Sequence, residues 1–385
     1  RNVFLLAICQ AFFNTSTGVL LAVAALVGYK LADDKSMATL PQALQWVSTA
    51  VFAIPVALMM RRIGRRTGFT VSALFGVAGA LLAATSIFQS SFWLFACAAV
   101  LFGGFTAASQ HYRFAAAEVS SPEFRSKAIS LVIGGGVVAA FVGPEISKWT
   151  YNLADGWMES EKFSSVISFI FGPRNINLNE KTLGSSHQFS GTFLVLSTIP
   201  IFLILIIWSI RFPPIQSEKF DNPARPTSTI ISQPIFLVAV LCAAIGWGIM
   251  VLMMTATPIA MKSEFGHHEI DAMFVVQWHM VGMFAPSFIT GSLISRYGLL
   301  NILLVGLLLS ASSAITGAMG GTIEHFWIAN VMVGMGWNFL FVGGTALLTY
   351  AYRPSERSRA QGVNDFMVFG VVAIFSGASG WIQSV

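Results

Sequence analysis

Charge is what this chain has least of. Asp, Glu, Lys and Arg make up 10% of its 385 residues, where a soluble domain carries about 25%. So low a fraction excludes a globular domain with water on every side. The 22 Lys and Arg outnumber the 17 Asp and Glu, but they sit in short connections, so the net charge of +5 is no nucleic-acid signal. Cysteine is scarce too: Cys9, Cys97 and Cys242 lie inside apolar runs without paired spacing, which implies no disulfide framework. A Walker-type phosphate loop is absent, which argues against ATP-driven pumping. No nucleophile–base constellation is present, so an enzyme is not expected, nor is a bound organic cofactor. The first hydrophobic run is too long for a cleavable signal peptide.

What remains is apolar. Hydrophobic residues make up 55% of the chain and the mean hydropathy is +0.72. Runs long enough to span a bilayer, which takes about 20 residues, lie near 3–29, 39–60, 69–88, 91–117, 126–148, 189–210, 234–262, 270–294, 299–319, 326–350 and 358–383. The chain opens on Arg1 and stops at Val385 without a polar ending, so a twelfth span is expected beyond it. Lys and Arg concentrate in the even-numbered connections (Arg61, Arg62, Arg65 and Arg66 in the second), whereas Lys30, Asp33, Asp34 and Lys35 cancel in the first. The positive-inside rule then places the even connections and the N-terminus in the cytoplasm.

The chain repeats itself. Arg62-Ile-Gly64 recurs as Arg296-Tyr-Gly298, and Ser121-Pro-Glu-Phe-Arg125 is echoed by Pro354-Ser-Glu-Arg357. The expected division is a six-helix bundle over 1–210, a cytoplasmic linker over 211–233 with Pro213, Pro214, Pro223 and Pro226, and a bundle over 234–385 holding five helices. The segment from Ala57 to Arg66 resembles the second-connection motif of the major facilitator superfamily, Gly-x-Leu-Ala-Asp-Arg-x-Gly-Arg-Arg. Ala57 replaces the Gly and Arg61 the acidic residue, so the charge-relay role of that acid does not carry over. Gly134-Gly-Gly136 and Gly143-Pro144 are similar to the superfamily's Gly-rich, Pro-containing fifth span. The resemblance covers the whole chain. It implies an all-α membrane protein of two pseudo-symmetric halves, working by alternating access at a midplane site.

Two spaced pairs stand out within the second bundle. Met250-x-x-x-Met254 and His279-x-x-x-Met283 each place both members on one helix face. In consecutive antiparallel spans, at a rise of about 1.5 Å per residue, Met254 falls level with His279 and Met250 level with Met283. Three thioethers and an imidazole form a soft set that suits Cu(I). The alternatives are ordinary Met packing and a His bonded to a polar group such as Gln277. The two pairs, in this order, resemble those of the CcoA-type copper importers, a bacterial branch of the superfamily. That resemblance implies Met250, Met254, His279 and Met283 as ligands for copper, here a transported substrate. It also implies import across the bacterial inner membrane and supply to cytochrome c oxidase assembly. A monomer in the lipid bilayer is expected.

Other polar groups are weaker candidates. Gln110, His111, Arg113 and Glu118 in span four, with Asp365 and Asn364 in span eleven, are candidates for gating or proton coupling; the alternative is a salt-bridge network. Glu145 is an outer-gate residue paired with Lys148, or simply interfacial. His267 and His268, with Glu269 and Asp271, are metal-capture residues or a solvated loop. Two other functions compete: a proton-coupled exporter of hydrophobic or cationic organic compounds, and a non-transporting metal sensor or oxidase assembly factor.

Overall fold

The computed structural model describes residues 1–34, 37–150, 153, 189–212 and 225–382, and all its regular elements there are helical. The proline-bearing stretch 213–224 and most of the connection 149–188 lie outside the described residues. In chain order the helices are α1 (Asn2–Leu31), α2 (Leu40–Phe88), α3 (Phe92–Ser109), α4 (Tyr112–Glu118), α5 (Arg125–Gly134), α6 (Val137–Thr150) and α7 (Ser190–Ser209). After the gap come α8 (Thr227–Ile231), α9 (Pro234–Ser263), α10 (Glu269–Phe284), α11 (Ser287–Tyr297), α12 (Leu299–Met319), α13 (Ile323–Leu348) and α14 (Arg357–Ile382). Among the described residues, eight helices are long and apolar enough to cross a membrane, nine with the bent α10–α11 pair.

The count falls below the expected spans partly because two of them form one 49-residue helix, α2. Its continuity is broken at Gly64, whose φ of 82° and ψ of 161° are open to glycine and strained for other residues. Gly298 takes the same pose between α11 and α12, with φ 86° and ψ 149°. The echoed proline segments both form 3-10 turns, Pro122–Phe124 and Pro354–Glu356. The repeat in the sequence is therefore a repeat of backbone conformation.

Three spans are broken within their length. The α3–α4 break falls at Gln110 and His111, the α5–α6 break at Gly135 and Gly136, and α10 meets α11 at Ala285-Pro286 with a bend of 40°. Proline and glycine explain the last two. Two large hydrophobic cores result, with a small third one of Met261, Ala272, Val275 and Phe326. One draws only on residues between Leu6 and Ile210; the other runs from Ile230 to Val372 but also takes in Trp46, Ala50, Phe114, Ala117, Ile129 and Ile133. Helix α13 is the most enclosed span. The outer face of α12, with Leu300, Leu304, Leu308 and Ile315, is exposed, as a lipid-facing surface would be.

Where the chain resumes after the gap, Arg225 holds Glu356, the last residue of the second 3-10 turn. Its backbone N–H and Nε donate to Oε1 at 2.9 and 2.8 Å, and Nη2 donates to Oε2 at 2.7 Å. These hydrogen bonds hold the Glu356 carboxyl down at about 2, against an ordinary 4.5. A carboxylate so depressed stabilises the fold fully above pH about 4.5, and the contribution is lost as pH falls toward 2. Glu356→Gln should therefore cost about 1–3 kcal/mol at neutral pH and little near pH 2. Thermal unfolding of the purified protein in detergent at both pH values checks this; an equal loss at both would refute it.

Candidate functional site

The two parts of the chain meet through polar side chains at the end that carries the Arg-rich connections. Arg65, just past Gly64, donates to Glu118 through Nη2 at 2.6 Å and to Gln361 of α14 at 2.8 Å. Gln361 in turn donates to the Tyr352 hydroxyl at 2.9 Å, and Arg357 lies 3.8 Å from Glu118. Burial pushes the Tyr352 phenol up to about 12, which keeps it a neutral acceptor. Deeper in, Arg113 donates through Nη1 to Gln110 at 2.9 Å and through Nη2 to Asp365 at 2.5 Å. His111 Nε2 lies 3.9 Å from the other Asp365 oxygen. His111, Arg113, Glu118 and Asp365, separately plausible in the sequence, thus belong to one network joining residues 65–118 to residues 352–365.

Beside this network α5 and α11 touch through small residues. The Ser130 hydroxyl bonds the Ser287 carbonyl and accepts from the Gly291 N–H at 3.0 Å. A side chain on Gly291 would place its Cβ 2.7 Å from Lys127 Cα.

Above the network lies a group of rings that the sequence analysis did not single out. Trp46 (α2), Trp247 (α9), Trp337 and Phe341 (α13), Phe369 (α14) and Phe284 (α10) pack in sequence around one another. Trp46 sits 5.6 Å from Trp247 and stacks on Phe369 at 6.0 Å; Trp247 sits 5.2 Å from Trp337, and Trp337 stacks on Phe341 at 4.9 Å. The cage draws Trp46 from early in the chain and the rest from beyond residue 230. All three indole N–H groups are buried without a hydrogen-bond partner, and so is Nδ2 of Asn14, which lies beside Phe284. Buried indole N–H groups usually find a partner. The available signal was position: Trp favours membrane interfaces, and Trp247 and Trp337 lie mid-helix.

The Met and His pairs are placed close by. Met250 and Met283 are buried in the same core as Trp247 and Trp337, and Met254 packs against it. His279 is fully buried; its Nδ1 meets the Asn330 carbonyl at 2.9 Å, and Nε2 has no partner. The bonded partner is thus on α13, not Gln277. Asn330 also donates to Thr257 of α9 at 3.0 Å, so α9, α10 and α13 are tied at this level. Metal-capture residues fare differently. His267 Nε2 engages the Gly321 carbonyl at 2.6 Å, and His268 caps α10 with Asp271, so both serve the loop's own structure. Glu145 is exposed, and the Lys148 side chain lies outside the described residues. Among the described residues no group of three or more His, Cys, Asp or Glu could hold a metal ion.

Gly291→Val should force α5 and α11 apart at the arginine-rich end. Cysteines introduced for Ser130 and Ser287 should then crosslink about tenfold less than without it, a shift of about 1.4 kcal/mol; unchanged crosslinking would show that this contact does not hold the end closed.

The comparisons with known proteins agree on the family. The Major Facilitator Superfamily model matches residues 3–377. The riboflavin transporter RfnT of Brucella anthropi is 36% identical over 391 residues, 99% of this chain and 90% of that protein. Among solved structures, the E. coli fucose:proton symporter FucP superposes with a TM-score of 0.71 at 15% identity, covering all of this chain and 93% of its own. A bacterial homologue of the iron transporter ferroportin, outward-facing, gives 0.66 at 11% identity, with 100% and 93% covered. Those two show the fold alone. The chain is an all-helical, multi-pass membrane transport protein and not an enzyme, and it belongs to the Major Facilitator Superfamily.

Proposed function

We propose that this transporter carries riboflavin or a closely related planar heteroaromatic solute across the bacterial cytoplasmic membrane by alternating access, with the arginine-rich end facing the cytoplasm. The carrying observation is the cage: three tryptophans from two parts of the chain, with buried indole N–H groups that no described residue satisfies. A flavin ring system offers flat aromatic faces to stack on and ring carbonyl and nitrogen acceptors for N–H donors. Stacking of that kind adds about 0.5–1.5 kcal/mol per ring pair beyond burial. The 36% identity to a riboflavin transporter over nearly the whole chain supports the same cargo.

A second cargo has one observation in its favour. His279 has Nδ1 tied to a backbone carbonyl and Nε2 bare, the arrangement typical of a metal-ligating imidazole. With Met250, Met254 and Met283 around the same core, it keeps Cu(I) import as the alternative. The 36% identity to a riboflavin transporter favours the flavin, so we rank copper below it.

The two readings part in one assay. Expressed in a riboflavin-auxotrophic bacterium lacking its own uptake system, the protein should lower the riboflavin requirement for growth. Trp247→Ala and Trp337→Ala should each reduce uptake of labelled riboflavin by about tenfold or more, since losing a stacked, desolvated anchor costs about 2 kcal/mol or more. His279→Ala with Met254→Ala should leave riboflavin uptake within a few-fold of the parent. The reverse pattern, copper uptake lost in the His–Met variant and no riboflavin uptake by the parent, would establish the metal instead.

A further inference from the structure

The polar atoms left over around the cage are all of one kind. The indole N–H groups of Trp46, Trp247 and Trp337 and the Nδ2 amide of Asn14 are buried donors with no acceptor among the described residues. Asn14 stands on α1, where its neighbours' hydroxyls are already used: Thr15 and Ser16 donate to the carbonyls of Ala11 and Phe12. Gln10, one turn earlier, donates through Nε2 to Asn14 Oδ1 at 3.0 Å. That bond engages the amide oxygen and leaves Nδ2 as the end still to be satisfied. A side chain on Gly136, at the break between α5 and α6, would strike both Asn14 Nδ2 and the Phe284 ring. Phe284 in turn sits edge-on to Trp337 at 5.7 Å. The glycine thus makes room for the amide beside a ring that belongs to the cage.

We propose that Asn14, held in place by Gln10, is a specificity-determining residue, and that with the indoles it selects an oxidised, acceptor-rich ring over the reduced form of the same ring. This rests on the cage being the cargo site. The edge of an oxidised flavin ring carries two carbonyl oxygens and two bare nitrogens as acceptors, and a single N–H. Its two-electron, two-proton reduced form carries N–H groups on those two nitrogens. The protein changes neither form; it meets them. Against the reduced ring a donor faces a donor, and the protein's N–H stays buried and unbonded. A site built to hydrogen-bond its substrate rejects an analogue that leaves its own polar groups unpaired.

The acceptors left over elsewhere do not reverse this. Asn330 Oδ1 belongs to the tie among α9, α10 and α13, and Asp365 Oδ2 faces His111 Nε2 at 3.9 Å in the ion network. Gln45, next to Trp46 in the chain, leaves Nε2 over, again a donor. If Asn14 served only to fill space, a leucine of similar volume would do so without burying an unbonded amide.

Binding by the full chain in detergent under nitrogen, read as quenching of tryptophan fluorescence, tests this. The parent should bind riboflavin about tenfold or more tightly than dithionite-reduced riboflavin. Asn14→Asp keeps the size of the side chain but puts an acceptor oxygen where the donor was. It should weaken riboflavin binding by about tenfold and shrink or reverse the preference for the oxidised form. Gln10→Glu should move the ratio in the same direction, because a carboxylate at that position draws Asn14 Nδ2 toward itself. Should Asn14→Asp fail to fold, Asn14→Leu reads the same ratio, which should fall by about threefold or more. A merely structural role would change both affinities alike and leave the ratio where it was. Equal binding of the two forms by the parent, or a folded Asn14 variant that keeps the parent's ratio, overturns the proposal. If riboflavin binds in neither form, the cargo reading has failed and this inference falls with it; riboflavin bound without preference sinks this inference alone.

Discussion

Inside a bilayer no water is available to a stray N–H or carboxylate, so every polar group must find its partner within the protein. Most of this chain obeys that constraint by the shortest route. Thr15, Ser72 and Thr85 return their hydroxyls to a carbonyl one turn earlier, and Asn338 ties Thr290, Met283 and Ser287 together. The departures include the three cage indoles, Asn14, His279 Nε2 and Asp365 Oδ2, together with Gln45, Arg66, His111, Arg113, Trp327 and Asn330. Each such group costs about 1–3 kcal/mol, against a net stability of about 5–15 kcal/mol for a typical fold. Six of these atoms belong to the three cage indoles, Asn14, His111 Nε2 and Asp365 Oδ2; the others are spread over several helices.

The contacts around that interface are of two kinds. At the arginine-rich end they are polar or made by small residues, as in the Ser130–Gly291 approach and the Arg65–Glu118–Gln361 chain. Contacts of that sort separate without exposing much apolar surface, which suits an end that must open. At the level of the cage they are aromatic and dry. Arg113 rests on Phe341, the ring that also stacks on Trp337.

Two site signals competed in the sequence. The Met and His spacings were legible because a four-residue interval is local and a mid-span histidine is rare. Their partners were not: the structure ties His279 to the Asn330 carbonyl and, through Asn330, to Thr257. The tryptophans left no spacing to read. Residues 46, 247 and 337 are far apart in the chain, and each alone is an ordinary large apolar side chain in a membrane helix.

The sequence by itself determined the helical membrane class, the internal repeat and the arginine-rich side. All three follow from local facts: run length against bilayer thickness, glycine and proline where the backbone turns, and charge kept out of lipid. It also named the members of the ion network, since a charged residue in a span needs a partner. Only the tertiary structure decided which residues face each other. In water an amphipathic stripe marks the buried face of a helix, but here the lipid-facing and core-facing sides are both apolar. The rotation of each helix, and with it the convergence of Trp46, Trp247 and Trp337, is therefore fixed by packing against its neighbours and leaves little trace in the pattern of any one segment.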